Sequence, residues 1–214
     1  YTADDAEASL AEAEKLIFDL SARGEKSDLD RISGSVAEVL RRIDTLKTDK
    51  NAFKGVMTGF WALDSLTNGL HSGELIVLAA RPAMGKSSFA MNIVENAAIR
   101  CGKKAAVFSL EMSAEQLALR MLCTEAKLDM QDVRRGRLAD EDWEKLSDAM
   151  TIINNAAIFV DATSGLSVAQ IRSKARRLQM ESGLDLVMID YLQLMTAGAD
   201  MRGNREQEVS LISR

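Results

Sequence analysis

Residues Leu75 to Ser88 read L-I-V-L-A-A-R-P-A-M-G-K-S-S, and this stretch decides the fold. Leu75-Ile76-Val77-Leu78-Ala79 is a continuous apolar run, the pattern of a parallel strand buried on both faces. A tight segment with Pro82 and Gly85 follows, then Lys86-Ser87-Ser88 and a helical stretch from Phe89 to Arg100. Strand, glycine-containing loop, Lys-Ser and helix, in that order, form the context of a phosphate-binding loop. Ala80, Arg81, Pro82, Ala83, Met84 and Gly85 then wrap an anion together with Lys86, Ser87 and Ser88. Backbone N–H groups and the helix dipole both favour negative charge there. Lys86 is placed to reach the β- and γ-phosphates of a nucleotide, and the Ser87 hydroxyl to hold Mg²⁺. The usual pattern begins with glycine where Ala80 stands. Alanine fits only if the loop entry avoids positive φ. The plainer alternative is a chance Gly-Lys-Ser at a helix start.

Working outward, 214 residues hold one well-buried core plus an appendage. With 47% hydrophobic and 28% charged residues, the composition is globular. No apolar run approaches the roughly 20 residues of a membrane span, so a membrane is not among the expected partners. A net charge of −5 argues against a whole-surface nucleic-acid coat, but leaves room for a local basic loop in a ring or channel. The start, Tyr1-Thr2-Ala3-Asp4-Asp5, is acidic and carries no secretory signal. It also lacks Met, which suggests a fragment or processed start. Cys101 and Cys123 have no metal-ligand spacing and are expected to be buried, in a reducing cytoplasm.

Residues 1–22 read as an acidic amphipathic helix with Leu10, Ala13, Ile17 and Leu20 on one face. Gly24 and a charge cluster interrupt it. A second helix, about Ile32 to Leu46, aligns Ile32, Val36, Val39, Ile43 and Leu46. Neither stripe can be buried by its own helix. The stripes pack either on this chain's core or, for the first, on a neighbouring subunit. Residues 1–50 therefore form a helical linker or docking segment, and 51–214 an α/β domain. In that domain T-G-F-W-A-L-D-S-L-T-N-G-L, Thr58 to Leu70, ends in the turn signal Asn68-Gly69. The lone histidine, His71, sits in a turn and is read as incidental. Ala105–Leu110, Ala157–Val160 and Leu184–Ile189 read as strands. Helices begin after Ser113 and Ser167, each followed three residues later by glutamine in a capping box. Trp143, Leu146, Met150 and Ile153 mark another helix. Strands alternating with helices imply a mainly parallel sheet flanked by helices.

Three residues carry further chemistry. Asp190 closes an apolar strand, where α/β sheets gather ligands. It can hold Mg²⁺ opposite Ser87, or merely cap a turn. Glu111 follows the strand Ala105–Leu110 and can deprotonate a water attacking the γ-phosphate, or serve the dipole of the next helix. Arg120 reads as a surface charge on position alone, although its guanidinium can stack on a base. Arg134, Arg135 and Arg137 read as a solvated turn. Thr196 to Gln207 is a polar loop in which Arg202 and Arg205 are placed to touch a polymer in a central channel.

Taken together, T-G-F-W-A-L-D-S-L-T-N-G-L, A-A-R-P-A-M-G-K-S-S, F-S-L-E-M-S, V-M-I-D-Y-L-Q-L and the final E-V-S-L-I-S-R resemble a DnaB-type replicative DNA helicase, a hexameric RecA-fold motor. The matching stretches run from Thr58 to Arg214. Ala80 fits that family, whose loop resembles A-R-P-x-M-G-K-[ST]. The resemblance implies a RecA-like P-loop NTPase preceded by the family's helical linker, which packs on the adjacent subunit. It implies ATP and Mg²⁺ as ligands, with Lys86 and Glu111 catalytic, Ser87 and Asp190 at the metal, and Arg120 stacking on the base. It implies single-stranded DNA, a homohexameric ring, primase and a helicase loader as partners, and a cytoplasmic setting. The family's γ-phosphate-sensing Gln and trans-acting Arg finger are expected beyond Arg214. So is a strand lying between Leu75–Ala79 and Leu184–Ile189, which makes the 214 residues a crop expected to fold poorly alone. The rivals are another RecA-like ring or filament ATPase, a small-molecule kinase, which Glu111 disfavours, and a non-catalytic assembly fragment.

The unpartnered stripe of the first helix yields a test. Ile17→Glu is expected to weaken oligomers without lowering the nucleotide affinity of the monomer. Light scattering across a dilution series measures this, and an unchanged mass would refute the docking role.

Overall fold

The computed structural model describes residues 32–45, 47, 54–81 and 83–195. The chain divides into two units, Tyr1–Ala52 and Phe53–Arg214. In the first unit, α1 (Ile32–Thr45) presents Ile32, Val36, Val39, Leu40 and Ile43, all exposed. Leu46 and the expected helix over 1–22 lie outside the described residues.

The second unit opens with a clasp. Val56 and Leu70 pair in a single antiparallel bridge. Gly55 is required there, because a Cβ at that position would lie 2.4 Å from the Leu70 carbonyl oxygen. Between them runs the short helix α2 (Trp61–Thr67), ended by Asn68 in the left-handed conformation. Asp64 turns its carboxylate back to the start of this helix, accepting hydrogen bonds from Thr58 N at 2.8 Å, Thr58 Oγ1 at 2.7 Å and Gly59 N at 3.0 Å. A buried carboxylate satisfied by donors near a helix N-terminus is stable there. The clasp is fastened to the next helix by Asn96, whose Nδ2 donates to Thr58 O at 2.9 Å, and by Phe60 against Phe89, with ring centroids 4.6 Å apart.

That helix, α3 (Lys86–Glu95), runs on into a π-helical turn, Asn96–Arg100. Then come β1 (Ala105–Ser109), α4 (Ala114–Ala126), α5 (Met130–Arg134), α6 (Asp140–Asn155), β2 (Ile158–Asp161), α7 (Val168–Ser182), β3 (Leu186–Asp190) and a 3-10 turn, Leu192–Leu194. The three strands form a parallel sheet in the order β2-β1-β3. Both expected capping boxes are present, Ser113 with Gln116 and Ser167 with Gln170.

The central strand shows why the fold has helices on both faces. Every residue of β1 is buried, and alternate side chains enter different cores. Ala105 and Val107 pack with Met91 and Val94 of α3 and Leu117 and Met121 of α4. Ala106 and Phe108 pack with Ile171 of α7, Leu166 and Met195. Fully burying one such large apolar side chain contributes about 1.5–3 kcal/mol.

Two expectations need correction. Leu75–Ala79 is not a buried strand: among the described residues it pairs with no other segment, and Leu75 is 72% and Val77 67% exposed. Burial of a strand requires a neighbour to take up its N–H and C=O groups. None lies beside it here, and it is not paired with β3. Cys101 is exposed, because it sits in the turn after the π-helical segment, whereas Cys123 is buried on α4.

Glu95 is an unusual core member. It is 5% exposed, and its Oε1 has no hydrogen-bond partner. It lines a hollow of about 220 Å³ with Phe60, Asn92, Asn96 and Glu125. Burial, and then the negative charge of Glu125, raise its pKa from 4.5 to about 7, against the opposing pull of Arg100 and Arg120. Between those two values the folded chain holds a proton that the unfolded chain has released. Stability from this group is therefore full below about pH 4.5 and lost as pH rises through about 7. Glu95→Gln is expected to stabilise the protein at pH 8, by at most about 3 kcal/mol, and by much less at pH 5. Urea unfolding at both pH values measures this, and an equal effect at both would contradict it.

Candidate nucleotide site

The site is built where α3 begins. Ala83 and Gly85 both have positive φ, 64° and 85°. Ala80 does not, so the alanine at the loop entry meets the condition that its backbone imposes. Successive turns of this kind direct backbone N–H groups into one concavity. The helix then starts at Lys86 with no side chain capping its first turn, unlike α4 and α7. Its leading N–H groups are thus free to meet an anion. The sequence pattern places the start of regular helix at Phe89; the structure starts it at Lys86, so Lys86, Ser87 and Ser88 are all first-turn residues.

Lys86 points to the sheet. Its Nζ lies 3.5 Å from Asp190 Oδ1 and 4.3 Å from the centroid of the Tyr191 ring. The Asp190 side chain is 6% exposed, so a cation beside it offsets the desolvation that burial imposes. The ammonium over the ring adds a cation–π attraction. Asp190 and Lys86, which stand in motifs far apart in the sequence, are brought together. Ser87 stands beside Lys86 in the same turn. Ser88 accepts a hydrogen bond from Arg120 Nη1 at 2.7 Å, which ties α4 to the start of α3. Arg120 is therefore a half-buried, partnered residue rather than a solvated surface charge.

Glu111 lies just past β1, with its side chain exposed. The preceding residue is fixed to the Asp190 strand, since Leu110 N donates to Asp190 O at 2.8 Å. The carboxylates of Glu111 and Asp190 thus leave the ends of adjacent strands, whose last paired residues are Ser109 and Asp190. Ala80, Arg81, Ala83, Met84 and Gly85 are exposed along the loop. Pro82, Arg202 and Arg205 lie outside the described residues.

Sequence reasoning missed two contributors. Tyr191 follows the strand-end acid, and only the folded chain shows its ring under the Lys86 ammonium. Ser109, the last residue of β1, bonds to both main-chain groups of Met112. A serine closing an otherwise apolar strand two residues before an acid is the signal that was available.

As a metal site the donor set is hard oxygen, from the Ser87 hydroxyl and the Asp190 carboxylate. No group of three or more His, Cys, Asp or Glu able to hold a metal occurs among the described residues. That suits Mg²⁺, which keeps most of its waters and takes few ligands from protein.

Comparison with known proteins agrees with this geometry. Residues 55–214 match the model of the DnaB-like helicase C terminal domain family. The chain is 44% identical over 211 residues to the replicative DNA helicase DnaC of Bacillus subtilis (strain 168), covering 99% of this chain and 46% of that one. It is 42% identical over 211 residues to the replicative DNA helicase DnaB of Geobacillus stearothermophilus, again covering 99% of this chain and 46% of that one. A solved structure of a DnaB-like replicative helicase and its interactions with primase matches with a TM-score of 0.74 at 32% identity, over 94% of this chain and 48% of that one. A second solved structure, of an isolated ATPase domain, matches with a TM-score of 0.77 at 33% identity, covering 87% of this chain and 65% of the other. The chain spans about half the length of the curated relatives it matches. With the phosphate-loop helix docked on a parallel sheet, its lysine on the strand-end acid, and a family match over most of its length, the chain belongs to the DnaB-like helicase C-terminal domain family.

Proposed function

We propose that this chain is the linker and the opening part of the motor of an ATP-hydrolysing replicative DNA helicase. In this reading the subunit couples hydrolysis in a hexameric ring to translocation on single-stranded DNA. The observation that carries it is the 3.5 Å pairing of Lys86 with Asp190, which sets the phosphate-loop lysine at the end of the sheet beside the strand that leads to Glu111.

The chemistry follows from these positions. The first-turn N–H groups of α3 receive the phosphates. Lys86 Nζ, held between Asp190 and Tyr191, moves toward the γ-phosphate oxygens and stabilises the charge that spreads over them. Mg²⁺ bound through Ser87 and Asp190 supplies charge neutralisation between the β- and γ-phosphates. Glu111 takes the proton of the attacking water, and the water oxygen attacks phosphorus. Arg120, fixed at Ser88, presents its guanidinium plane to the base. Arg202 and Arg205 contact single-stranded DNA, and the N-terminal linker helix docks on the adjacent subunit. One structural neighbour is described with its interactions with primase; primase and a loader are partners proposed for this chain by that likeness. No described helix is long and apolar enough to cross a membrane, and the proposed setting is the cytoplasm.

ATP turnover by the full-length protein, with and without single-stranded DNA, tests the reading. Stimulation by DNA is expected. Turnover indifferent to DNA would favour another RecA-like ATPase, and no turnover would favour an assembly role. Lys86→Ala is expected to reduce turnover by about 10³-fold or more, since charge stabilisation at the transferring group is lost. Glu111→Gln is expected to bind nucleotide with unchanged affinity and to hydrolyse it about 10²- to 10⁴-fold more slowly. Parental turnover by Glu111→Gln would show that another group is the base.

A further inference from the structure

We infer that Ser109 is a positioning residue for Glu111, setting the direction of its carboxylate through the backbone of the intervening turn. The inference rests on Glu111 being the base, as proposed above, and adds to that reading how the base is held. Ser109 ends β1, is 2% exposed, and is the register partner of Asp190. Its hydroxyl donates to Met112 O at 2.8 Å and accepts from Met112 N at 3.1 Å. One side chain thereby closes the turn that carries Glu111. On the other side of Glu111, Leu110 N is held by Asp190 O at 2.8 Å. Met112 is anchored a second time by its side chain, which packs on the core beside α3 and α4.

Glu111 lies between these anchors, exposed, and no side chain among the described residues orients it by a hydrogen bond or ion pair. Its aim is therefore fixed by its neighbours' main chain. A hydroxyl can donate to a carbonyl and accept from an N–H at once, alanine can do neither, and a thiol does both weakly. The buried position keeps water from replacing it. Displacing a reacting group by about 1 Å can cost roughly 10²-fold in rate, so a slack turn would reach the chemistry without disturbing the phosphate loop.

The experiment uses the full-length protein with Ser109→Ala, Ser109→Thr, Ser109→Cys, Glu111→Gln and the double variant Ser109→Ala with Glu111→Gln. It reads kcat and KM for ATP and the dissociation constant of a fluorescent ATP analogue. For Ser109→Ala, kcat is expected to fall roughly 10- to 100-fold while analogue affinity stays within about twofold. Ser109→Thr, which keeps the hydroxyl, is expected to restore kcat, and Ser109→Ala is expected to add no loss in the Glu111→Gln background. Parental kcat in Ser109→Ala, a loss of analogue binding in step with rate, or an additive loss in the double variant would overturn the inference. If Ser109→Ala does not fold, the other pair decides: slow Cys with fast Thr supports it, and equal rates overturn it. Parental turnover by Glu111→Gln would remove the base assignment, and this inference with it, whereas an impaired Glu111→Gln beside a parental Ser109→Ala would remove this inference alone.

Discussion

Asp190 holds a carboxylate almost out of reach of solvent, and Lys86 answers it at 3.5 Å. Leaving such a charge alone costs about 3–5 kcal/mol, the usual penalty for breaking a buried pair. The pair therefore does more than join two motif residues. It fixes the first turn of α3 against the end of β3, and everything that the phosphate loop can do depends on that placement. Tyr191 reinforces it from below, with its ring 4.3 Å from the same ammonium.

The sheet supplies the other half of the geometry. β1 is the central strand, buried along its whole length, and sends alternate side chains into two helix layers. Its register with β3 sets Ser109 opposite Asp190, so the next residues of β1 leave the sheet beside the Lys86 pair. The clasp from Thr58 to Asp64 serves the same end from outside. Through Asn96 and Phe89 it grips α3 at points remote from the loop, leaving the loop itself clear.

Local signals in the sequence are legible where they carry their own physics. The capping serines at 113 and 167 satisfy N–H groups within three residues, and both helices begin there. The strand-end position of Asp190 follows from an apolar run meeting a single acid. The DnaB-type resemblance, resting on several separated motifs, extends to the family match over residues 55–214. What failed depended on neighbours rather than on local pattern. Leu75–Ala79 has the composition of a buried strand, but burial is a property of a pair, and no described segment pairs with it. Cys101 is apolar in its preferences, yet the turn that holds it faces solvent. Arg120 looks like a solvated charge in the sequence because its partner, Ser88, is 32 residues away.

The central claim is that the loop before Lys86 and the turn bearing Glu111 are two walls of one nucleotide site. Methyl-labelled methionines test it directly, because Met84 lies in the first wall and Met112 in the second, while Met150 and Met180 are exposed on α6 and α7. Saturation of the full-length protein with a Mn²⁺ complex of a non-hydrolysable ATP analogue should broaden the methyl signals of Met84 and Met112 together and leave those of Met150 and Met180 sharp. Broadening of Met84 with Met112 unaffected would place Glu111 away from the nucleotide and contradict the account.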